Sequence, residues 1–368
     1  MRDKLIGKLR CFQAALLVFF IIHGGIFGTG LNLLIKVAEE DAWIAAIIGT
    51  ILGFIPFYIF TSLSTLYPDK NIFEILETTC GKTLGKLITT ILTLFAISFV
   101  LLCFWNLTNL ISSQYLYKTP QLFVYIIFAI PIIYILSKGI RVFLRSIIII
   151  FFITVSLYLV VLISLVPQSH FINLYPILKD GISPVIHASF GLIAYCISPL
   201  FFLGAIPLHY YEDQKNYKKY MVISYIITSI SIIIIPFLIV SIFGIELASL
   251  YQYPEFQILR RVSIGGFIER VESSLSVHWI FELLILITMG MYFIKQGFYH
   301  IFHIKKNWLK LGMNGLFLIV SIICSLNIFR NNTIVDQFSV RFYPFVCYIF
   351  LIFIALLYGI IYIKKKRS

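Results

Sequence analysis

The sequence predicts an all-α integral membrane protein of ten transmembrane helices, built as two inverted five-helix repeats with broken first and sixth helices. Three observations carry this: a composition that cannot cover a water-facing surface, a count of apolar runs consistent with the charge between them, and interruptions at matching places in two runs. Of 368 residues, 60% are hydrophobic and 12% charged, and the mean hydropathy is +0.97. A soluble domain carries about twice that share of charge. The natural solvent is a bilayer.

A helix needs roughly 20 apolar residues to cross the hydrocarbon. On that rule the spans fall at 12–34, 42–66, 84–112, 121–137, 146–166, 186–209, 220–245, 274–295, 309–328 and 342–363. The layout is then a cytoplasmic N-terminus (1–11), a first repeat (12–166), a second repeat (186–363) and a basic cytoplasmic tail (364–368). Within the second repeat, residues 246–273 form an outer loop capping the vestibule. The first apolar run is too long for a signal peptide and lacks a small-residue cleavage site, so it is expected to stay in the mature chain.

The net charge of +13 would suit nucleic acid if the 29 basic residues formed a stripe. They lie instead in short clusters between the spans. The N-terminus, the even-numbered connections and the tail hold 21 of them, and the odd-numbered connections hold 8. By the positive-inside rule both termini face the cytoplasm, and the partner these clusters fit is anionic membrane lipid, not nucleic acid. Six cysteines are scattered without C-x-x-C spacing, so neither a disulfide framework nor a metal site is indicated.

The first span contains His23-Gly24-Gly25-Ile26-Phe27-Gly28-Thr29-Gly30. Such clustered glycines serve either a helix break or close packing of the small-x-x-x-small kind, for which Gly24 and Gly28 have the spacing. The sixth span contains Tyr195-Cys196-Ile197-Ser198-Pro199, where Pro199 removes a backbone donor in mid-membrane. Interruptions five helices apart, in corresponding positions of two halves, point to a central binding site between inverted repeats. The helix resuming at Gly28, Thr29 and Gly30 offers free N–H groups to a carboxylate. Carbonyls freed near Ile197 and Ser198, with the Tyr195 and Ser198 side chains, suit an ammonium. Each of these side chains equally suits an interhelical hydrogen bond.

Ionisable groups within the spans are few: Glu282 and His278 in the eighth, with His23 and His187 near the breaks. Glu282 and His278 share a helical face and can pair, carry a proton or face an aqueous vestibule. Trp105, Asn106, Thr108 and Asn109 give the third span a polar stretch. His300 and His303 are expected in solvent or at lipid headgroups. There is no Walker loop, G-x-S-x-G, H-E-x-x-H or carboxylate cluster, so no enzyme, cofactor or metal is expected.

Gly28-Thr29-Gly30-Leu31, Asp41-Ala42-Trp43, Pro207, and Tyr253-Pro254 followed by Ile268-Glu269-Arg270-Val271-Glu272 and Trp279 resemble the spore-germination permease family. These are the B subunits of endospore germinant receptors, within the amino acid/polyamine/organocation transporter superfamily. The resemblance runs from about residue 10 to 363. The series from Tyr253 to Trp279 is its specific part; the glycine-rich first span is shared across the superfamily. It implies the ten-helix fold, the spore inner membrane, and assembly with an A-type membrane subunit and a C-type lipoprotein. It further implies sensing of a small nutrient, typically an amino acid.

Carried over by position, the ligand site falls on Gly28 with Gly24, Gly25, Thr29 and Gly30, on Trp105 and Asn106 in the third span, around Ser198 with Tyr195 and Pro199, and on Thr288 in the eighth; Glu282 joins it as an ionisable group within the membrane. That span departs from the family in carrying Glu282 and few other polar groups, which leaves the nutrient open. A receptor, an amino acid permease coupled to H+ or Na+, and a scaffold with a vestigial site are the competing functions.

Overall fold

The computed structural model describes residues 9–261, 276–304 and 307–367. The Ile268–Glu272 series, most of the predicted 1–11 segment and the second half of the 246–273 loop lie outside the described residues. Within them the chain is helical from end to end, with no strand beyond one bridge pairing Leu9 with Tyr211.

The elements follow the apolar runs. Helix α1 is Cys11–Ile26, α2 is Thr29–Ala38, α3 is Ala42–Leu66, α4 is Ile72–Cys80 and α5 is Lys82–Gln114. Then come α6 (Gln121–Lys138), α7 (Ile140–Leu165), α8 (Ile182–Leu192), α9 (Tyr217–Leu250), α10 (Pro254–Leu259), α11 (Val277–Phe302), α12 (Asn307–Ile328), α13 (Asn332–Gln337) and α14 (Tyr343–Arg367). Starts and stops have local causes. Asn71 and Glu74 exchange side-chain and backbone bonds in a capping box that opens α4. The Asp213 carboxylate accepts the Cys11 N–H at 2.7 Å and so caps α1 from 202 residues away. Asp41 accepts the Leu178 N–H through both oxygens, tying the start of α3 to the connection after α7.

Among the described residues, eight stretches are long and apolar enough to cross a membrane. The first and ninth predicted spans account for the difference from ten: the break leaves Cys11–Ile26 only 16 residues long, and the described apolar part of α12 is Gly312–Ile328. Burial runs inside-out relative to a soluble protein. Phe152, Ile149 and Ile163 on α7 are 67%, 67% and 73% exposed, whereas Thr89, Thr108 and Ser198 are fully enclosed. Helix α1 is buried along its length, packed between α9 and α11, while α5 lies along α11.

Two interruptions meet at the middle of this core. Helix α1 stops at Ile26 and α2 restarts at Thr29, with Gly28 at φ +67° between them. That conformation costs a residue with a Cβ roughly 1 kcal/mol or more, which explains the glycine. Gly24 and Gly25 stay helical, so the break is narrower than the glycine cluster. In the sixth span α8 gives way to a π turn over Ile193–Ile197 and then to a 3-10 helix over Ser198–Ala205 that Pro199 opens. The two interruptions touch: a Cβ on Gly25 would collide with the Tyr195 carbonyl, so only glycine admits the contact.

Candidate functional site

The free N–H at the α1–α2 break already has a partner. Gly28 N donates to Glu255 Oε1 at 2.6 Å. Glu255 comes from α10, the short helix following α9, and is 1% exposed. Its other oxygen, Oε2, has no hydrogen bond. The slot that the sequence assigned to a ligand carboxylate is thus filled by a carboxylate of the chain itself. Burial pushes the Glu255 carboxyl up to about 7, against the opposing pull of its own N–H and that of Gly28.

A polar ring surrounds this contact. Asn106 Nδ2 donates to Thr29 Oγ1 at 3.1 Å, and Asn109 Nδ2 donates to the Tyr253 hydroxyl at 2.8 Å. The Tyr253 hydroxyl donates in turn to the Asn106 carbonyl at 3.4 Å. Asn32 Nδ2 donates to the Gln252 carbonyl, fixing the segment before α10 to α2. Phe27, at the break itself, lies 5.9 Å from the Tyr253 ring and 5.1 Å from Trp279. Two residues of the specific series, Tyr253 and Trp279, therefore close over the interruption. Beside Glu255 a cavity of about 30 Å³ is lined by Tyr158, Ile239, His278 and Trp279 among others. It has room for water and none for an amino acid.

The other predicted residues divide between this ring and elsewhere. A Cβ on Gly24 would stand 3.0 Å from the Glu282 carbonyl, and one on Gly30 2.7 Å from the Gly25 carbonyl. Both are close-packing positions. Tyr195 faces away from Gly28: its hydroxyl donates to the Ser339 carbonyl at 2.9 Å and its ring stacks on Tyr343. Ser198 donates back to the Ala194 carbonyl and lies 3.7 Å from Cys347 Sγ, beside α14. Pro199 starts the 3-10 helix. Trp105 packs toward Phe329, and Thr288 donates to the Leu284 carbonyl. The structure brings Gly28, Thr29 and Asn106 together around Glu255 and leaves the side chains of Tyr195, Ser198, Trp105 and Thr288 outside that ring.

Glu282 pairs across helices, with His23 and not with His278: Nδ1 and Oε1 are 3.5 Å apart with both side chains fully buried. His187 is exposed on α8. His300 meets Glu77 at 2.9 Å, where an unpaired headgroup contact was expected. Sequence reasoning missed Glu255, Tyr253 and Asn109 as site residues. The signal was present in Tyr253-Pro254, which the resemblance already marked, one residue before Glu255. The loop's charge balance hid it among surface acids.

Comparison with known proteins places this architecture. Residues 13–333 match the family described as Spore germination protein. Spore germination protein KB of Bacillus subtilis (strain 168) is 25% identical over 277 residues, covering 73% of this chain and 71% of that protein. Spore germination protein YndE of the same organism is 24% identical over 319 residues, 86% of this chain and 87% of that one. Among solved structures, a mutant of the Eremococcus coleocola manganese transporter superposes with a TM-score of 0.60 at 15% identity, over 91% of this chain and 74% of the other. A second mutant of that transporter gives 0.58 at 13% identity, with 91% and 75% coverage. At such identity the likeness is one of fold, shared with a membrane transporter. With residues 13–333 matched by the family, the chain belongs to the spore germination protein family.

Proposed function

We propose that this chain is the nutrient-sensing membrane subunit of a spore germinant receptor. Its ten helices form two inverted five-helix repeats, with both termini in the cytoplasm of the spore inner membrane. The ligand is a small germinant bearing a carboxylate, most simply an amino acid, bound at the α1–α2 break. The signal passes to an A-type membrane subunit and a C-type lipoprotein.

The observation that carries this reading is the Glu255 carboxylate on the Gly28 N–H. Helix N-termini attract anions through free N–H groups and the helix dipole, and here that preference is already satisfied from within. A germinant carboxylate would take the same donor, set Glu255 free and release α10, which ends the described part of its loop. The displacement converts occupancy of a small pocket into movement of an outer segment that partners can read. A ligand acts this way by binding the released state better than the latched one.

The test is binding to the full chain in lipid nanodiscs, using a panel of amino acids and the amines that lack only their carboxylates. The expected result is heat and saturation for one or more amino acids and none for the matching amines, with Gly28→Trp abolishing the response. Equal binding of amine and amino acid would remove the carboxylate slot from the account.

A second reading, an amino acid permease coupled to H+ or Na+, is favoured by the transporter fold of the structural neighbours. Accumulation of labelled amino acid against a gradient in proteoliposomes would establish it over a pure receptor. Among the described residues no three His, Cys, Asp or Glu side chains converge as on a metal ion.

A further inference from the structure

Between α1, α7 and α11 lies a second cluster that the carboxylate slot does not use. His23 and Glu282 are fully buried, 3.5 Å apart, and neither imidazole nitrogen nor either carboxylate oxygen makes a hydrogen bond. Phe19 stacks on the His23 ring at 4.2 Å, and Tyr158 meets it edge-on at 5.4 Å. His278, one turn before Glu282, lies 6.1 Å from the same Tyr158 ring. The Tyr158 hydroxyl is committed to the Ser231 carbonyl.

The electrostatics of this pair admit few solutions. Among the described residues, only His23 comes within ion-pair distance of Glu282. The titratable groups beside it are Tyr158 from α7, whose ring meets His23, and His278 from α11 itself, next to the same Tyr158 ring; Tyr158 and His278 also line the cavity that Glu255 of α10 lines. Helix α9 contributes only Ile235, Leu238 and Ile239 to that cavity. A lone carboxylate with no hydrogen bond at membrane depth is costly, whereas the same pair holding one proton carries no net charge. The pair also sits one turn before the α1 break, and a Cβ on Gly24 would touch the Glu282 backbone. Any rearrangement of the pair therefore bears directly on the break.

We propose that His23 and Glu282 form a proton-binding site that takes up and releases a single proton. Its route to the end of the bundle where α10 lies runs past the Tyr158 ring, which meets His23, into the cavity that Tyr158, His278 and Glu255 line. Uptake makes one O–H or N–H bond at the pair and breaks one in water, and the pair's charge goes from −1 to 0. The ligand is the proton, so the proposal stands whether or not an amino acid binds at Gly28.

The experiment is pH-stepped infrared difference spectroscopy on the full chain in nanodiscs, in a Glu255→Gln background so that the nearby carboxyl does not contribute. The expected result is a buried carboxyl band that responds to pH, disappears in Glu282→Gln and has its midpoint displaced in His23→Gln. Because His23→Gln keeps the carboxylate, it carries the test if Glu282→Gln fails to fold. A second readout is the fluorescence of Trp279, whose ring is 4.5 Å from His278; its pH response should move with the infrared band. A pH-dependent band that survives Glu282→Gln, or one that His23→Gln leaves in place, would overturn the proposal. So would a band that answers to sodium at constant pH and not to pH.

Discussion

At the scale of single residues, Glu255 is the group on which most depends. Burial pushes its folded carboxyl up to about 7, from an ordinary 4.5. Between those values the unfolded chain is ionised while the folded chain keeps its proton, so stability falls as pH rises across that window. The loss is on the order of 3 kcal/mol. Thermal unfolding in nanodiscs should show that slope in the parent chain and a flatter one in Glu255→Gln. Gly25 makes a different demand. Gly25→Ala drives a Cβ into the Tyr195 carbonyl, with backbone on both sides and no flexible side chain to yield. The expected destabilisation is about 1–3 kcal/mol, read as a lowered unfolding temperature. The glycines were legible because both of their uses, positive φ and close approach, leave a mark on composition. Glu255 was not, because a buried acid and a surface acid read alike in a loop.

At the scale of elements, the two interrupted spans have unequal roles. The break after Ile26 exposes a donor and gathers Asn106, Thr29 and Tyr253 around it. The irregular stretch from Ile193 to Ala205 instead turns the Tyr195 and Ser198 side chains toward α14 and presents backbone to Gly25. The sequence marks both places through Gly and Pro, but which side chains face inward depends on helix rotation, and a π turn shifts that rotation by about one residue. That is why Tyr195 and Ser198 seemed to belong to the site. Helix α10 is the element expected to move. Amide hydrogen exchange of Phe256–Leu259 should rise when a germinant amino acid is added, while exchange in α5 stays constant; protection of α10 on ligand addition would mean that the latch tightens and does not open.

At the scale of the whole molecule, the bilayer decides which surfaces are apolar. The exposed Ile and Phe side chains of α7 are an outer wall, and the enclosed Thr, Asn and Ser side chains are the interior. Phe152→Lys, near the middle of α7, should cost about 2.5–3.5 kcal/mol of insertion and lower the yield in the membrane fraction, a penalty that a water-facing surface would not impose. Composition and charge clusters conveyed this class and the element order because the solvent acts on every span. They conveyed less about contacts between distant segments. The Asp213 cap on α1 and the Asp41 tie to Leu178 join residues far apart in the chain through single carboxylates.

The central claim is that Glu255 and a ligand carboxylate compete for the Gly28 N–H. Its most direct test is amino acid affinity of the full chain in nanodiscs, parent against Glu255→Ala, at a pH well above 7 where Glu255 is ionised. The account predicts tighter binding by Glu255→Ala, since the internal competitor is gone and the donor is left free. Weaker binding, with the parent still responding, would contradict it and mean that Glu255 holds the ligand and is not displaced by it.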